Sequence, residues 1–409
     1  MVDLSINFAG LELKNPLIVA SSDNVRDIRQ IKQAEEYGAS AVILKAMLPP
    51  ASISPQMMLR IFVDAKGQAV CGGAGANRLS YDQAVELVMA AKKETRIKVG
   101  ANIGFQVSED YQLTVDAVKR VVQAGADFIE LNFKGRAFTG PVVMGKVGEQ
   151  RANTREEDKG YEEYEEYVRN FLKMVSAGTR IIKQAVNIPV IGKIGPAGVD
   201  TVASAMAIES GGADAVNAVN IMGGTIPIDI FDRGRLRTPA AKSAELMTVG
   251  APYKSFAQGF VARVSKAVSI PVMGTGGLMN WRDVVEMIMF GATTVSFCTL
   301  LIIRGFEAIT EIEKGLRGFM EQQGYNHIDD FKGLALSYIE PSTATCEIIP
   351  SLARIDEGKC TGCGICLKPA HCLATSMEND KAVVNEVECL GCGTCFLLCP
   401  EGAVSMIEI

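Results

Sequence analysis

The sequence predicts a (β/α)8 barrel followed by a small cysteine-rich domain, and three observations support this fold class. Eight short apolar runs with the character of buried strands recur along the first 340 residues. Helix-period segments separate most of them, as in a parallel sheet whose crossovers are helices. Eight of the eleven cysteines lie within residues 360–399. Eight strand-and-helix units fit a closed barrel, which typically needs roughly 250 residues.

Four of the strand candidates follow a glycine–alanine pair and end in a polar or small residue. The rival arrangement is a doubly wound open sheet, but no G-x-G-x-x-G turn follows the first strand, as a dinucleotide-binding fold would show. The clearest helix periods lie at residues 81–95, 114–125 and 282–291. In chain order, the strand candidates span residues 16–22, 38–45, 97–103, 125–132, 188–195, 212–220, 270–277 and 291–299.

Two further segments have distinctive patterns. The N-terminal stretch "LSINFAGLELKNP" alternates polar and apolar residues and breaks at Gly10, which predicts a hairpin that closes the bottom of the barrel. Residues 155–171 are strongly acidic. This run is typical of a solvated helix face, and a surface that docks a partner is the alternative.

Composition excludes several classes of protein. An apolar fraction of 48% with 22% charged residues is normal for a soluble chain. No apolar run reaches the roughly eighteen residues needed to cross a bilayer, and the start "MVDLSINFAG" has no leader pattern. The net charge of −6 argues against nucleic-acid binding. We therefore expect a cytoplasmic protein that contacts neither membrane nor nucleic acid.

Polar residues follow nearly every strand candidate at its carboxyl end, where chemistry takes place in such barrels. One of them alone is more often structural, but a ring of them predicts a polar cofactor. After strand seven, "GTGG" and a following helix start let backbone N–H groups converge on an anion, which predicts a phosphate. The edge residues are Ser21, Ser22, Lys45, Asn102, Asn132, Lys134, Lys193, Asn217, Asn220, Thr275, Gly276, Gly277, Cys298 and Thr299.

The cysteine spacing of the tail is that of a two-cluster iron–sulfur domain. The run C-x2-C-x2-C-x3-C-P at 389–400 has the bacterial ferredoxin spacing, whereas the run at 360–372 is C-x2-C-x2-C-x5-C. Two zinc sites are the alternative, but zinc ribbons use paired C-x2-C units. In the crossed pattern, one [4Fe–4S] cluster takes Cys360, Cys363, Cys366 and Cys399, and the other takes Cys372, Cys389, Cys392 and Cys395.

These features divide the chain into a barrel at residues 1–340, a linker at 341–356 and a ferredoxin-like domain with two [4Fe–4S] clusters at 357–409. Residues 351–409 hold eight acidic and four basic residues, so this tail contributes −4 of the net −6. An acidic two-cluster domain joined to a cofactor-binding barrel indicates an electron conduit.

With these motifs, nearly the whole chain resembles the catalytic subunits of bacterial NAD-dependent dihydropyrimidine dehydrogenases and, more broadly, the class 1 dihydroorotate dehydrogenase family. The resemblance implies an oxidoreductase that acts on CH–CH groups, with FMN at the barrel mouth. It also implies an oligomeric assembly with a partner subunit that binds FAD and NAD(P)H, or with ferredoxin.

Matched position by position, the resemblance assigns Lys45 and Lys193 to the flavin, and Lys193 would favour the anionic reduced form. Substrate contacts fall to Asn77, Arg78, Asn132 and Asn220. A buried strand cysteine is the alternative reading of Cys298. The implied cofactor-binding set is Ala20, Ser21, Lys45, Asn102, Asn132, Lys193, Asn220, Gly250, Gly276, Gly277, Cys298 and Thr299.

The substrate pocket departs from the family at three positions. Gly135 replaces the cysteine that moves a proton, Leu79 replaces a glutamate, and Ile221 replaces a threonine. These changes make the pocket more apolar and more cationic. Uracil and thymine are therefore in doubt, and a small cyclic substrate with an anionic or carbonyl group is expected.

A replacement acid/base is needed, and Lys134 is the expected one because burial can lower the pKa of a lysine. Arg136 would orient a carboxylate. Asn132 and Lys193 complete the expected catalytic set, and Cys71 on a glycine-rich loop is the alternative acid/base.

Two functions follow. In the first, the enzyme reduces or oxidises a C=C or C–C bond, with reduction favoured, and the clusters relay electrons. In the second, the barrel has lost substrate chemistry and is an FMN and iron–sulfur electron-transfer subunit. The missing cysteine favours the second, whereas Asn77, Asn132 and Asn220 favour the first. A scaffold protein fits poorly with eight cluster ligands.

Overall fold

The structure, a computed structural model, describes residues 2–48, 61–63, 69–73, 78–105, 111–133, 157–195, 199–218, 222–224, 228–236, 246–339 and 350–409. The chain divides into two compact units, Met1–Tyr338 and Ile339–Ile409.

The first unit is built on eight parallel strands, β1 (Leu17–Val19), β2 (Ala41–Ile43), β3 (Lys98–Phe105), β4 (Phe128–Phe133), β5 (Val190–Lys193), β6 (Ala215–Ala218), β7 (Val272–Thr275) and β8 (Thr294–Phe297). Each strand pairs with the next, and β8 pairs with β1, so the ring is closed. This confirms the predicted (β/α)8 barrel. The open sheet is wrong, because it would leave two edge strands.

Helices follow the strands along the chain. The predicted helices at 81–95, 114–125 and 282–291 are confirmed. The helices of the first unit are α1 (Ile28–Glu36), α2 (Tyr81–Glu94), α3 (Tyr111–Gln123), α4 (Glu157–Ala185), α5 (Thr201–Ser210), α6 (Lys254–Ala267), α7 (Trp281–Met289), α8 (Thr299–Arg304) and α9 (Glu307–Gln323).

The acidic run at 155–171 lies largely within α4. Among its described side chains, Glu165 and Glu166 are exposed, whereas Phe171 is buried. This is the pattern of an amphipathic helix with one solvated face.

The glycine–alanine repeat marks the entrance of every second barrel strand. Each glycine follows a helix and adopts a left-handed φ, which glycine does without strain, and each alanine is buried. The four glycines are Gly38, Gly125, Gly212 and Gly291, with φ between +87° and +102°. The residue after each alanine donates its N–H to the preceding strand, namely Ser40 to Leu17, Asp127 to Val99, Asp214 to Val190 and Thr293 to Val272, at 2.7–2.9 Å.

Asp214 shows how side-chain contacts stabilise the starts of these strands, at their amino ends. Its carboxylate accepts the Val190 backbone N–H at 2.7 Å and pairs with Lys183 Nζ at 2.5 Å. The opposite, carboxyl edge of the barrel is left for other residues.

Smaller elements complete this unit. The predicted N-terminal hairpin is confirmed, since Ile6–Phe8 pairs antiparallel with Leu11–Leu13 around Gly10 at φ +82°. The loops after β2 and β6 together form an antiparallel four-stranded sheet of Ile61–Val63, Ala69–Gly73, Leu246–Thr248 and Met222–Gly224. Both loops leave carboxyl ends of barrel strands, so this sheet belongs to the edge predicted to carry the site.

The second unit consists of two strand pairs and two cysteine-bearing segments. Ser351–Ile355 pairs antiparallel with Val404–Glu408, and Thr375–Glu378 pairs with Lys381–Val384. The strand Ser351–Ile355 falls within residues 341–356, which the sequence analysis assigned to the linker. Its partner is the C-terminal strand, a long-range pairing that no local pattern signals.

Candidate active site

A buried carboxylate, Glu130 on β4, lies inside the barrel and is 0% exposed. Asn102 Nδ2 on β3 donates to one of its oxygens, and Asn217 Nδ2 on β6 donates to the other at 2.5 Å. Lys193 Nζ on β5 lies 3.5 Å from Glu130 Oε1. Because β6 is not adjacent to β4, these contacts cross the interior of the barrel.

The strand register explains why these residues meet. Asn102 lies opposite Glu130 in the pairing of β3 with β4. Asn132 and Asn217 both lie opposite Lys193, one on each neighbouring strand. Since side chains alternate along a strand, Glu130 and Asn132 point to the same side of β4.

The polar cluster continues to the last strands. Thr275 Oγ1 on β7 donates to Asn217 Oδ1 at 2.6 Å and lies 2.6 Å from Ser296 Oγ on β8. A hydroxyl has one proton, so Ser296 donates to Thr275. The hydrogen-bonded cluster therefore links β3, β4, β6, β7 and β8, with Lys193 of β5 at its charged centre.

Two buried amide oxygens on β3 and β4 have no hydrogen-bond partner among the described residues. Asn102 Oδ1 and Asn132 Oδ1 are buried without a hydrogen bond. Buried polar atoms are nearly always satisfied. These oxygens are thus placed to accept N–H or O–H groups of a bound ligand.

A second ion pair lies after β1 and β2. Lys45 Nζ is 2.9 Å from Asp23 Oδ2, and both side chains are largely buried. Burial lowers the pKa of the partly buried Arg78 guanidinium, and the charge of Asp23 opposes that shift. Each of the two lysines predicted to face the cofactor is therefore matched by a carboxylate.

The ends of β1 and β8 are tied together. The Ala20 N–H donates to Phe297 O at 2.9 Å, and Asn24 Nδ2 donates to Cys298 O at 3.0 Å. Ser21 is partly exposed beside them. Burial raises the pKa of the Cys298 thiol, although Lys45 nearby lowers it. The thiol is thus protonated at neutral pH, and Thr299 follows it as the first residue of α8.

A glycine cradle follows β7. Gly276 has φ +121° and Gly277 has φ +75°, both outside the range of most side chains. A Cβ on Gly276 would lie 2.8 Å from Tyr253 Cε1, and a Cβ on Gly277 would lie 2.4 Å from the Lys254 backbone. Gly250, also left-handed at φ +69°, begins the turn that leads into Lys254. Glycine is therefore required at both positions after β7, because Tyr253 and Lys254 occupy the space that a Cβ would take.

Several predicted site residues lie outside the described residues. These are Lys134 and Arg136 of the expected acid/base segment, with Gly135 between them, and Asn77, Asn220 and Ile221. The backbone of Cys71 belongs to the strand Ala69–Gly73, but its side chain is not among those described. Leu79 is described and buried.

In the second unit, the two cysteine runs have matching backbones. Gly362 and Gly364 in the first run and Gly391 and Gly393 in the second all have φ between +65° and +73°. Each run leads into a short helical turn, at Ile365–Leu367 and at Thr394–Leu398. The repeated conformation bends each loop around its own cysteines.

Two small cavities collect the cysteines into two groups. Among the described residues, no three His, Cys, Asp or Glu side chains are close enough to share one metal ion. A cubane binds each thiolate to a different iron, so its ligands lie farther apart. One cavity is lined by Cys360, Cys363, Cys366 and Cys399. The other is lined by Cys372, Cys389, Cys392 and Cys395, with Cys366 at its border.

Several thiols are polarised by their surroundings. Hydrogen bonds from the backbone N–H groups of Ala382 and Gly362 lower the pKa of Cys360. A hydrogen bond with Thr394, followed by one with His371, lowers the pKa of Cys392 to about 7. Such thiols are readily deprotonated, as metal ligation requires.

The barrel sequence matches one protein family over most of its length. Residues 3–320 match the dihydroorotate dehydrogenase family. The chain belongs to this family. It is therefore an oxidoreductase of the class that acts on CH–CH groups.

Three relatives show how far the similarity to this family extends. The catalytic subunit of dihydroorotate dehydrogenase B (NAD(+)) of Thermococcus kodakarensis is 27% identical over 81% of this chain and 98% of the relative. That of Methanosarcina acetivorans is 29% identical over 80% and 95%. The PreA subunit of the NAD-dependent dihydropyrimidine dehydrogenase of Escherichia coli K12 is 24% identical over 89% and 84%.

Dihydroorotate dehydrogenases bind FMN, and the described residues fit this group. Asn102 Oδ1 and Asn132 Oδ1 are buried amide oxygens with no hydrogen-bond partner among the described residues, and the loop after β7 carries two consecutive glycines with positive φ, Gly276 and Gly277. None of the described helices has the length and apolar character needed to cross a bilayer.

Sequence reasoning missed two members of the site, Glu130 and Asp23. Glu130 lies in a strand that is otherwise apolar up to Asn132. Its position two residues before Asn132 was the available signal, because it places both side chains on one face of the strand. Asp23 directly follows the predicted edge residues Ser21 and Ser22, and only the fold shows its pairing with Lys45.

Proposed function

We propose that this chain is an FMN-dependent oxidoreductase that reduces or oxidises a C=C or C–C bond of a small cyclic substrate, and that its second unit relays the electrons through two [4Fe–4S] clusters. The observation that carries the proposal is the polar cluster around Glu130 and Lys193, together with the unsatisfied side-chain oxygens of Asn102 and Asn132.

The residues that would hold FMN lie on nearly every strand. The glycines after β7, with Gly250 and Thr299, would bind the phosphate, since glycines with positive φ let backbone N–H groups converge on an anion. Ala20, Ser21, Asn102, Asn132 and the two lysines would contact the rest of the group, with Asn220 completing the set. When bound, FMN supplies the hydride chemistry at the substrate carbon.

Lys193 provides the main electrostatic contribution of the protein. It is buried and carries a positive charge beside Glu130. A fixed cation in a dry site stabilises negative charge as it develops, and it needs no reorganisation of water. This would favour acceptance of electron density by the cofactor.

Proton transfer is assigned to the segment after β4. Lys134 follows the strand closely and would donate or accept the proton at the substrate carbon, and Arg136 would orient an anionic group. Asn132 at the end of β4 and Asn77 and Arg78 after β2 would position the substrate. Lys45 and Lys193 are each paired with a carboxylate. Selectivity for an anionic substrate would therefore come from the positive charges of Lys134, Arg136 and Arg78.

The grouping of cysteines supports the two clusters. Each cavity contains the four cysteines that the crossed pattern assigns to one cluster, and Cys366 lines both cavities. The second unit would pass single electrons between the barrel and an external donor or acceptor. A flavoprotein subunit that binds FAD and NAD(P)H, or ferredoxin, would serve as this partner in an oligomeric complex.

Two alternatives have specific support. Reduction of uracil or thymine is favoured by the alignment with the PreA subunit, which spans 374 residues and so extends beyond the first unit. Against it stand Gly135 and Leu79 at two substrate positions. An electron-transfer subunit without its own substrate is favoured by the same missing cysteine.

The test is anaerobic purification followed by cofactor and substrate analysis. The proposal expects one FMN and about eight iron and eight sulfide per chain. Reoxidation of the reduced protein by cyclic enones, pyrimidines and unsaturated cyclic acids then identifies the substrate class. Preference for uracil or thymine would select the first alternative, and no response to any ring compound would select the second. A colourless protein without flavin or sulfide would refute all three.

A further inference from the structure

Glu130 poses an energetic problem. A carboxylate that is 0% exposed loses its hydration and must be compensated by charge and hydrogen bonds. Its two oxygens are matched by the Asn102 and Asn217 amides and by the Lys193 ammonium. Three polar side chains inside the barrel thus compensate one carboxylate, although this carboxylate does not itself reach the carboxyl edge of the barrel.

The contacts of Glu130 serve to place the Lys193 side chain and do not stabilise a local backbone feature. Glu130 forms no part of a turn or cap, and its contacts come from three different strands across the barrel. Asn217 is held in turn by Thr275, which Ser296 holds. The carboxylate oxygens therefore have little freedom, and the ammonium that pairs with Oε1 is placed by them.

We propose that Glu130 is a positioning residue that keeps the Lys193 ammonium directed at the cofactor edge. This rests on the proposed FMN site. The charge that Lys193 presents to the cofactor edge is displaced when Glu130 is neutralised, because the ammonium then loses the carboxylate that holds it in place. The opposite expectation, that Glu130 merely weakens the field of Lys193, predicts a gain when the acid is removed.

Sulfite distinguishes these two expectations. Sulfite adds through its lone pair to N5 of oxidised flavin and gives an anionic adduct, which a nearby positive charge stabilises. Bleaching of the flavin band in the anaerobic holoenzyme measures its affinity. We expect Glu130→Gln and Lys193→Met each to weaken sulfite binding by roughly tenfold or more. The double variant should match Lys193→Met, since none of the three presents the Lys193 charge to the cofactor edge.

A matched control separates positioning from stability. Asp214→Asn breaks the Lys183–Asp214 pair at the amino ends of β5 and β6, which is not part of the polar cluster. It should lower Tm and leave sulfite affinity within about twofold. Stronger or unchanged sulfite binding in Glu130→Gln, or additive losses in the double variant, would overturn the proposal. If Glu130→Gln does not fold, Glu130→Leu replaces it, and stronger or unchanged sulfite binding in that variant overturns the proposal equally.

A further measurement is independent of the flavin. In FMN-free protein, the Tm losses of Glu130→Gln and Lys193→Met should not add in the double variant, because either change alone leaves its partner buried and unpaired. Additive Tm losses would overturn the pairing. Failure of the wild type to retain or rebind FMN would instead refute the proposed function, and the Tm cycle would still decide whether Glu130 and Lys193 act as a pair.

Discussion

Replacing Gly277 by alanine tests whether the loop after β7 binds a phosphate. Gly277 has φ +75°, and a Cβ built there would lie 2.4 Å from both the N and the Cα of Lys254. Both are backbone atoms at the start of α6. No change of rotamer relieves such a contact, so either the loop or the end of the helix must move.

The magnitude follows from the backbone conformation. A left-handed φ costs an L-residue about 1–2 kcal/mol, before the contact with Lys254 is counted. If the loop keeps its shape, this cost appears as a loss in the free energy of unfolding and lowers Tm by a few degrees. If the loop moves, the strain is relieved but the phosphate contacts are lost, and FMN affinity falls by roughly 5- to 30-fold or more for the same free energy.

The assay is titration of FMN-free protein with FMN by quenching of flavin fluorescence, with Tm measured on the same samples. Gly318→Ala is the matched control. Gly318 lies within α9 with no heavy atom within 4 Å of an ideal Cβ, so alanine should stabilise that helix by about 0.5–1 kcal/mol and leave FMN affinity unchanged. Wild-type FMN affinity combined with wild-type Tm in Gly277→Ala would refute the reasoning.

Three further predictions concern charge and proton transfer. Lys193→Met should slow flavin reduction by roughly tenfold or more while the iron–sulfur absorbance stays intact, because the cation that stabilises the reduced cofactor is gone; an unchanged rate in rapid-mixing experiments would exclude that role. Lys134→Ala should lower kcat by roughly 10²-fold without releasing FMN, and wild-type kinetics would exclude Lys134 as acid/base. In iron-free protein at pH 7, iodoacetamide should label Cys392 before Cys366 and Cys395, because a pKa of about 7 leaves Cys392 about half ionised, whereas burial raises the pKa of the other two. The labelling rate of Cys392 should fall as the pH drops below 7. Mass spectrometry that finds Cys366 labelled first would contradict this prediction.

The architecture of the barrel could be predicted from local pattern. Strands such as Phe128–Phe133 are near-continuous apolar runs, and left-handed glycines such as Gly125 mark the entrance of every second strand. Both signals are local in sequence. The strand Ser351–Ile355 was missed because its partner lies about fifty residues away, at the C-terminus, and its own sequence alternates weakly.

The electrostatics of the site could be predicted only in part. The lysines were visible because they end strand candidates, as Lys193 does. Their partners were not, because Glu130 pairs across the barrel with residues whose register is set by closure. The sequence alone predicted a pocket with an excess of positive charge. In its described part, negative charges balance the two lysines, since Lys45 pairs with Asp23 and Lys193 pairs with Glu130.

The entrance device repeated at Gly38, Gly125, Gly212 and Gly291 divides the barrel into four equivalent sectors of two strands each. Cuts at these glycines would fall at junctions with the same backbone geometry and the same hydrogen bond to the preceding strand. A sector is thus a natural unit of recombination. Chimeras joined at these glycines would exchange whole sets of catalytic loops, while the backbone geometry at each junction would stay the same.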